Sequence, residues 1–141
     1  MATPFVYKNA YLSVASNNLS TYVESCETNI SYEEVDVTAM GDTAKHGIPG
    51  MQDWYITVNF NQSFTDSELD TIISPLVGAA AASAIIFKPN GATTGTSNPK
   101  WTGNGRIFAY PVISGAVGSK GATSVTIRPG DGAGLIRAVA D

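Results

Sequence analysis

Two alternating patterns separated by a glycine-rich segment lie between residues 35 and 60, and they constrain the fold more than any other part of the sequence. From Trp54 to Phe60, large apolar residues occupy every second position. A period of two is typical of a strand with one buried face. The earlier pattern, in which Val35 and Val37 alternate with acidic or polar residues, belongs to a second strand predicted over residues 32–39.

The segment between these two strands is predicted to be a long loop over residues 41–51. Gly41, Gly47, Pro49 and Gly50 occur together in it. Glycine lets the backbone turn, and proline stiffens it. Loops held up by a rigid scaffold often carry function, so we expect this loop to be the functional part of the chain.

The rest of the chain predicts a mainly β fold with one helix. Fourteen glycines, seven prolines and only 14% charged residues favour short strands and turns over helical bundles. A chain of 141 residues fits one domain, expected to span residues 1–141. Further strands are predicted at residues 11–14, 21–30, 83–88, 106–113, 124–128 and 135–139.

The single helix is predicted from Thr65 to Gly78. Thr65 and Glu68 have the spacing of a capping box, in which two side chains satisfy the free N–H groups of the first turn. Apolar residues recur behind them at helical spacing, and we expect this face to lie on the sheet. They are Leu69, Ile72, Ile73 and Leu76.

The strand predicted over residues 21–30 has two mixed faces, since apolar and polar residues occur on both. A strand in a simple sandwich has one apolar face. This strand is therefore expected to line a wet surface or to pair with a neighbouring subunit.

Charge is unevenly distributed along the chain. Residues 1–70 hold ten acids and two bases, a net charge of −8, whereas residues 71–141 hold six bases and two acids, a net charge of +4. One interpretation is chance in a fold that interleaves the two halves. The other is a head-to-tail protomer whose acidic surface meets the basic surface of a neighbour.

Few residues are available for catalysis or metal binding, and we predict no catalytic, cofactor-binding or metal-binding residues. His46 is the only histidine and Cys26 the only cysteine, which is too few for a zinc site. The acids Glu33 and Glu34 point to opposite faces of a strand, so a solvated acidic surface is expected in place of a calcium site.

Binding to membranes and tight binding to DNA are also disfavoured. The most apolar run, residues 77–87, is shorter than the roughly 20 residues that span a bilayer. The N-terminal sequence lacks the pattern of a signal peptide, and the single cysteine fits synthesis in a reducing cytosol. Eight dispersed bases in an acidic protein do not form the basic patch that neutralises phosphates.

The glycine-rich segment resembles the tail tube (major tail) proteins of long-tailed bacteriophages. The resemblance lies in VTAMGDTA at residues 37–44, IPGM at residues 48–51, Asp53 and the strand that follows, and it continues through most of the chain. It implies two packed antiparallel sheets, in a sandwich or barrel, with one flanking helix and a long loop between strands. It also implies rings of six copies that stack into a tube around a DNA channel.

The resemblance implies roles for particular residues as well. The loop would make contacts between rings and subunits, with residues 1–10 and 135–141 as terminal arms. The loop residues are Gly41, Asp42, Thr43, Lys45, His46, Ile48, Pro49, Gly50 and Met51. The acids expected to face the channel are Glu24, Glu27, Glu33 and Glu34.

The expected partners are other copies of this chain and other tail proteins at the ends of the tube. DNA would pass through the channel without specific binding, and the protein would be assembled in the host cytoplasm and reside in the virion tail. Two alternatives stay open. One is a β-sandwich module that binds carbohydrate or decorates a capsid, and the more remote one is a small hydrolase that uses His46 with Asp42 or Asp53.

Overall fold

The computed structural model describes residues 10–140. Within them, eight strands, one short α-helix and two 3-10 turns, Ser20–Tyr22 and Ser74–Leu76, follow one another along the chain. The helix α1 is Leu69–Ile73. The strands are β1 (Tyr11–Val14), β2 (Asn17–Asn18), β3 (Val23–Asp36), β4 (Gly47–Asn61), β5 (Ser83–Lys88), β6 (Lys100–Ile107), β7 (Ala122–Pro129) and β8 (Ile136–Ala138).

All eight strands belong to one antiparallel sheet in the order β2-β1-β5-β6-β7-β4-β3, with β8 paired to β6. The predicted mainly β fold with one helix is confirmed. The expectation of two separate sheets needs correction, because β6 pairs with β5 along one edge and with both β7 and β8 along the other. Those pairings join the two groups of strands into one continuous sheet.

One face of this sheet encloses the core. Strands at distant positions in the sheet contribute to the same apolar cluster, so the sheet must curve around it. The alternation predicted for residues 54–60 is confirmed, since Trp54, Ile56, Val58 and Phe60 are all buried. They pack with Leu12 and Val14 of β1, Ile85 and Phe87 of β5, and Val125 and Ile127 of β7.

Strand β6 begins earlier than predicted, at Lys100 where position 106 was expected. Its sequence WTGNG has the composition of a loop, but Gly103 and Gly105 lie in the strand against the Trp54 ring. A Cβ atom on Gly105 would come within 2.5 Å of Ile127 Cγ2. These glycines therefore make room for a buried tryptophan and do not mark a turn.

The helix is much shorter than predicted, and its capping box is absent. Glu68, not Thr65, precedes the helix, and no side chain caps it. Ser67 has a left-handed backbone (φ 64°), which separates Thr65 from the helix start. Leu69 and Ile73 are buried as expected, and the turn that follows contains Pro75 and ends before Gly78 (φ 72°).

The predicted terminal arms have different outcomes. Residues 1–9 and 141 lie outside the described residues, while Ala10 packs on the core. At the other end, Leu135 is buried and β8 pairs with β6, so residues 136–138 are part of the sheet, and an arm role for residues 135–141 stays a prediction. In the described part of the chain no helix has the length and apolarity needed to cross a membrane.

Candidate functional site

The β3–β4 hairpin projects beyond the rest of the sheet. We call residues 31–51 the arm, because every one of them is exposed. Strand β7 pairs with β4 only from Ile56 to Asn61, so in the arm β3 and β4 pair solely with each other. At about 3.3 Å per residue, the six steps from Gly47 to Asp53 alone span about 20 Å.

The predicted loop is shorter than expected, because the ladder between β3 and β4 extends far into it. Glu34 pairs with Pro49 and Asp36 with Gly47, so residues 47–51 belong to β4. Proline is tolerated because this part of β4 has a free edge on the side away from β3. Of the nine predicted contact residues, five therefore lie in the true turn region of residues 37–46: Gly41, Asp42, Thr43, Lys45 and His46.

The arm's glycines serve different purposes. Gly41 has a positive φ of 102° and makes the turn, as predicted. Gly47 instead lies beside Glu34, whose Cγ atom would be 2.6 Å from an added Cβ. Gly50 likewise approaches Val35 across the hairpin, where an added Cβ would lie 3.2 Å from Cγ2. Two of the three glycines thus permit close cross-strand packing.

The tip of the arm is held by its own hydrogen bonds. Val37 N–H donates to the His46 carbonyl at 3.1 Å, and the His46 N–H donates to Thr38 Oγ1 at 2.9 Å. The backbone N–H of Thr38 donates to Asp36 Oδ1 at 2.9 Å and, with the Thr38 hydroxyl, lowers the pKa of that carboxyl. The tip is therefore an ordered turn presented to solvent.

His46 and Asp42 meet at this tip, with His46 Nδ1 3.4 Å from Asp42 Oδ2. The same carboxylate accepts the Ala39 N–H at 2.7 Å, which indicates a role in closing the turn. Asp53, the other acid considered for a hydrolase, lies near Arg128 at 3.3 Å. Among the described residues, no three His, Cys, Asp or Glu side chains are grouped to hold a metal ion.

The arm exposes an unusual number of large apolar side chains for a solvent-facing hairpin. Met40, at the tip, is fully exposed, and Met51 is 84% exposed. The others are Tyr32, Val35, Val37 and Ile48. A two-stranded hairpin is marginally stable in water on its own, so these side chains indicate a surface that packs against another molecule.

A second exposed apolar segment lies in the connection between β6 and β7, which we call the β6–β7 segment (residues 108–121). It exposes Phe108, Val112, Ile113 and Val117. Its first residues have the sequence pattern of a strand, predicted over residues 106–113, and so give no signal of a contact site. Its position after Ile107, where the regular ladder ends, leaves these side chains without cover.

The segment is nonetheless fastened to the body of the protein. Tyr110 Oη accepts from Gln62 Nε2 and donates to Asp70 Oδ1, both at 2.7 Å. Thr123 Oγ1 donates to the Pro111 carbonyl at 2.6 Å, and Ser114 pairs with Ala122. The apolar side chains are therefore displayed by an anchored backbone.

The outer face of β3, β4 and β7 is polar, in contrast to the core face. Tyr55 Oη donates to Glu27 Oε2 at 3.1 Å and accepts from Asn29 Nδ2 at 3.0 Å. We call this surface the polar face. Its residues are Ser25, Glu27, Asn29, Ser31, Asp53, Tyr55, Thr57, Asn59, Ser124, Thr126 and Arg128.

The four acids predicted to face a channel do not lie together. Glu27 is on the polar face, and Glu24 lies beside it at an irregularity of β3, paired with Lys120 at 3.0 Å. Glu33 and Glu34 lie in the arm, and seven residues of strand separate Glu34 from Glu27, about 23 Å. Asp53, which is not among the four predicted acids, is also on the polar face, a position that the alternation of β4 implies.

No protein-family model matches the sequence, and no curated protein matches it significantly. Solved structures do match over nearly the whole chain. A chain from the virion of a native gene transfer agent particle superposes with a TM-score of 0.75 at 11% identity, covering 96% of this chain and 99% of that one. The chain has the tail-tube fold.

Two further structures carry the same fold. A chain from the tail of an empty gene transfer agent particle, which has C6 symmetry, matches with a TM-score of 0.70 at 11% identity and covers 92% of this chain and 94% of that one. A chain of the SPP1 tail tube matches with a TM-score of 0.73 at 11% identity, covering 98% and 81%. The tail-tube fold implied by the sequence resemblance is thereby confirmed, with its strands joined in one antiparallel sheet.

Proposed function

We propose that this protein is a structural subunit of a phage tail tube. Six copies would form a ring, and rings would stack into a tube that conducts DNA during ejection. Other tail proteins would close the tube at its ends, and the assembly would reside in the virion tail. The single observation that carries the proposal is the arm, a run of 21 residues that is exposed throughout.

The arm is built to contact a protein surface. Its strands are paired and its tip is ordered, so it is not a flexible linker. Yet it exposes Met40 and Met51 almost completely and has no core of its own. A neighbouring copy that covers these side chains would supply the burial that the free subunit lacks.

The long free edge of β3 supports assembly by the same reasoning. β3 is the last strand of the sheet and runs for 14 residues. Exposed edges of this length invite pairing with another chain. Closing the subunits into a ring would cover such edges. A ring of six is supported by the C6 symmetry of the gene transfer agent tail, one chain of which has the same fold.

The polar face is the surface best suited to line a DNA channel. It carries hydroxyl and amide groups, together with Glu27 and Asp53, and Arg128 is its one base, 3.3 Å from Asp53. A wall with few cations, among them Arg128 and its cross-strand neighbour Arg106 of β6, offers DNA phosphates little to bind, so DNA would pass without sticking. The proposed role is mechanical and needs no catalysis or cofactor.

Self-assembly can be tested with the purified protein. Sedimentation velocity and negative-stain microscopy should show six-fold rings or tubes of uniform width that grow with protein concentration. A protein that stays monomeric across concentration and salt would refute the proposal. A variant without the arm has Asn-Gly in place of residues 33–51, so that a two-residue turn joins Tyr32 to its strand partner Gln52. It should have the parent's melting temperature but form no tubes.

The channel assignment has its own test. Tubes of the parent protein should retain no short duplex DNA, whereas Glu27→Lys tubes should retain DNA in a manner that weakens with added salt. Glu33→Lys combined with Glu34→Lys serves as the matched comparison in the arm. If the arm variant retains DNA and Glu27→Lys does not, the polar face is not the channel wall.

A further inference from the structure

Two hairpins of the sheet each carry a fully exposed apolar residue near the tip. Met40 lies in the turn of the arm with a relative exposure of 105%, and Val117 lies in the β6–β7 segment with 107%. No other large apolar residues among residues 10–140 are so exposed. Both are costly to leave in water, so each is expected to have a partner surface.

The two tips point in opposite directions along the sheet. β4 and β7 are antiparallel neighbours, with Ile56 opposite Ile127 and Asn61 opposite Ala122. The arm continues β4 beyond Ile56, whereas the β6–β7 segment ends at Ala122 at the opposite end of the same ladder. Along β4, the ten steps from Met51 to Asn61 at about 3.4 Å each, about 34 Å, therefore separate the bases of the two hairpins.

This arrangement prevents the arm from reaching the β6–β7 segment of its own chain. It does allow the arm of one copy to reach that segment in a second copy placed end to end with the first. Two different patches at opposite ends make a head-to-tail contact, which repeats without limit when the copies are stacked.

We infer that the arm of one subunit docks on the β6–β7 segment of a subunit in the next ring. This inference rests on the proposed tube function and adds the surface that receives the arm. The occupant of the exposed surface at Phe108, Val112, Ile113 and Val117 is thus a second copy of this chain.

Charge supports this pairing over contact between two arms. The arm contains Glu33, Glu34, Asp36 and Asp42 against Lys45, a net charge of −3 with neutral His46. The β6–β7 segment contains no acid and one base, Lys120. Arm-to-arm contact would bring like charges together, whereas an arm on this segment meets apolar side chains and no acid of the segment, whose Lys120 is paired with Glu24 at 3.0 Å.

The receiving segment is also preorganised. Its backbone is fixed by the bonds of Tyr110 to Gln62 and Asp70 and by the bond from Thr123 to the Pro111 carbonyl. Little ordering is then required when the arm docks. Preorganised surfaces bind more tightly because they lose less conformational freedom.

Site-specific crosslinking tests the contact. Met40→Cys and Val117→Cys would be made separately in a Cys26→Ala background, and equal amounts would be co-assembled and treated with a short bis-maleimide. We expect crosslinked dimers, with the two cysteines identified by mass spectrometry, in tubes but not in dilute monomer. The matched control is Met40→Cys mixed with Ala92→Cys, since Ala92 is also exposed but lies outside both patches.

Each outcome decides the inference. Tubes that form but give no more Met40–Val117 crosslink than the Ala92 control would overturn it. A Val117→Ser variant gives a second readout: it should keep the parent's melting temperature but lose pelletable tubes, and unchanged pelleting would also overturn the docking site. If the parent protein forms no tubes at all, the proposed function itself fails, which separates the two conclusions.

Discussion

The two halves of strand β4 share one backbone but differ in their surroundings. From Trp54 to Phe60 every second side chain is buried in the core. From Gly47 to Met51 every residue is exposed, although the pairing with β3 continues, with one irregularity between Tyr32 and Glu34. We call residues 54–60 the body half of β4 and residues 47–51 its arm half. The body half lies beside β7 and under the curved sheet, and the arm half has neither neighbour.

This difference shows that strand pairing alone does not decide burial. The body half completes its packing within one subunit, so its residues determine the stability of the monomer. The arm half leaves its apolar residues uncovered, so its residues should matter only when a second subunit is present. Mutations that separate folding from assembly test this division directly.

The largest effect is expected from truncating the core tryptophan. Trp54→Ala removes a side chain that is 1% exposed and should lower the free energy of unfolding by about 3–5 kcal/mol. Met51→Ala, its matched change in the arm half, should alter the monomer by less than about 0.5 kcal/mol. Urea unfolding of dilute protein measures the free energy of unfolding of both variants. Similar losses for the two variants would contradict the proposed difference between the halves.

Adding a methyl group to a glycine sharpens the same comparison. Gly105→Ala places its Cβ 2.5 Å from Ile127 Cγ2 in the body and should cost about 1–3 kcal/mol, since this buried site has no room. Gly47→Ala brings its Cβ 2.6 Å from Glu34 Cγ, but that exposed side chain can rotate away, and we expect a change under about 0.5 kcal/mol. Thermal unfolding of both variants is the measurement; equal effects would contradict the account.

A smaller effect is expected from the bonds that anchor the β6–β7 segment. Tyr110→Phe removes the hydroxyl that joins Gln62 to Asp70 and should cost about 1–2 kcal/mol. Burial, aided by the nearby Asp70 carboxylate, raises the pKa of Tyr110 above 10.0. The contribution of the neutral Tyr110 hydroxyl to the free energy of unfolding is therefore complete below pH 10 and is lost as pH rises through the raised pKa. Urea unfolding across this range should show a steeper alkaline loss in the parent than in Tyr110→Phe.

The smallest effect concerns the tip of the arm. The Thr38 N–H and hydroxyl lower the pKa of Asp36 below 3.8, so the local turn gains stability above that value and loses it as pH falls through the lowered pKa. Asp36→Ala removes the acceptor and should speed amide exchange at Thr38 while leaving global unfolding unchanged. NMR titration of Asp36 checks the direction, and a pKa above 3.8 would show that the turn is not formed in solution.

Much of the body was predictable from sequence because its signals are local. The alternation of residues 54–60 specifies both a strand and its buried face, and the strands at residues 11–14 and 83–88 match their predicted bounds. Errors arose where tertiary contacts override local signals. Gly103 and Gly105 have the composition of a loop but lie in β6, because the Trp54 ring occupies the space above them.

The candidate site was predictable only in part, for a related reason. Glycines and Pro49 indicate a loop, whereas the ladder between β3 and β4 absorbs residues 47–51 into a strand. The exposed β6–β7 segment gave no signal, since apolar residues of a core strand and of a contact surface look alike in sequence. Which of them lack cover becomes evident only from the sheet order.

Amide hydrogen exchange, compared between monomer and assembled tube, tests the central claim most directly. The amides of residues 54–60 should be protected in both states and serve as the internal reference. The arm, residues 31–51, should exchange quickly in the monomer and become strongly protected in the tube, because a neighbouring subunit covers it. Equal exchange of the arm in the two states would contradict the account.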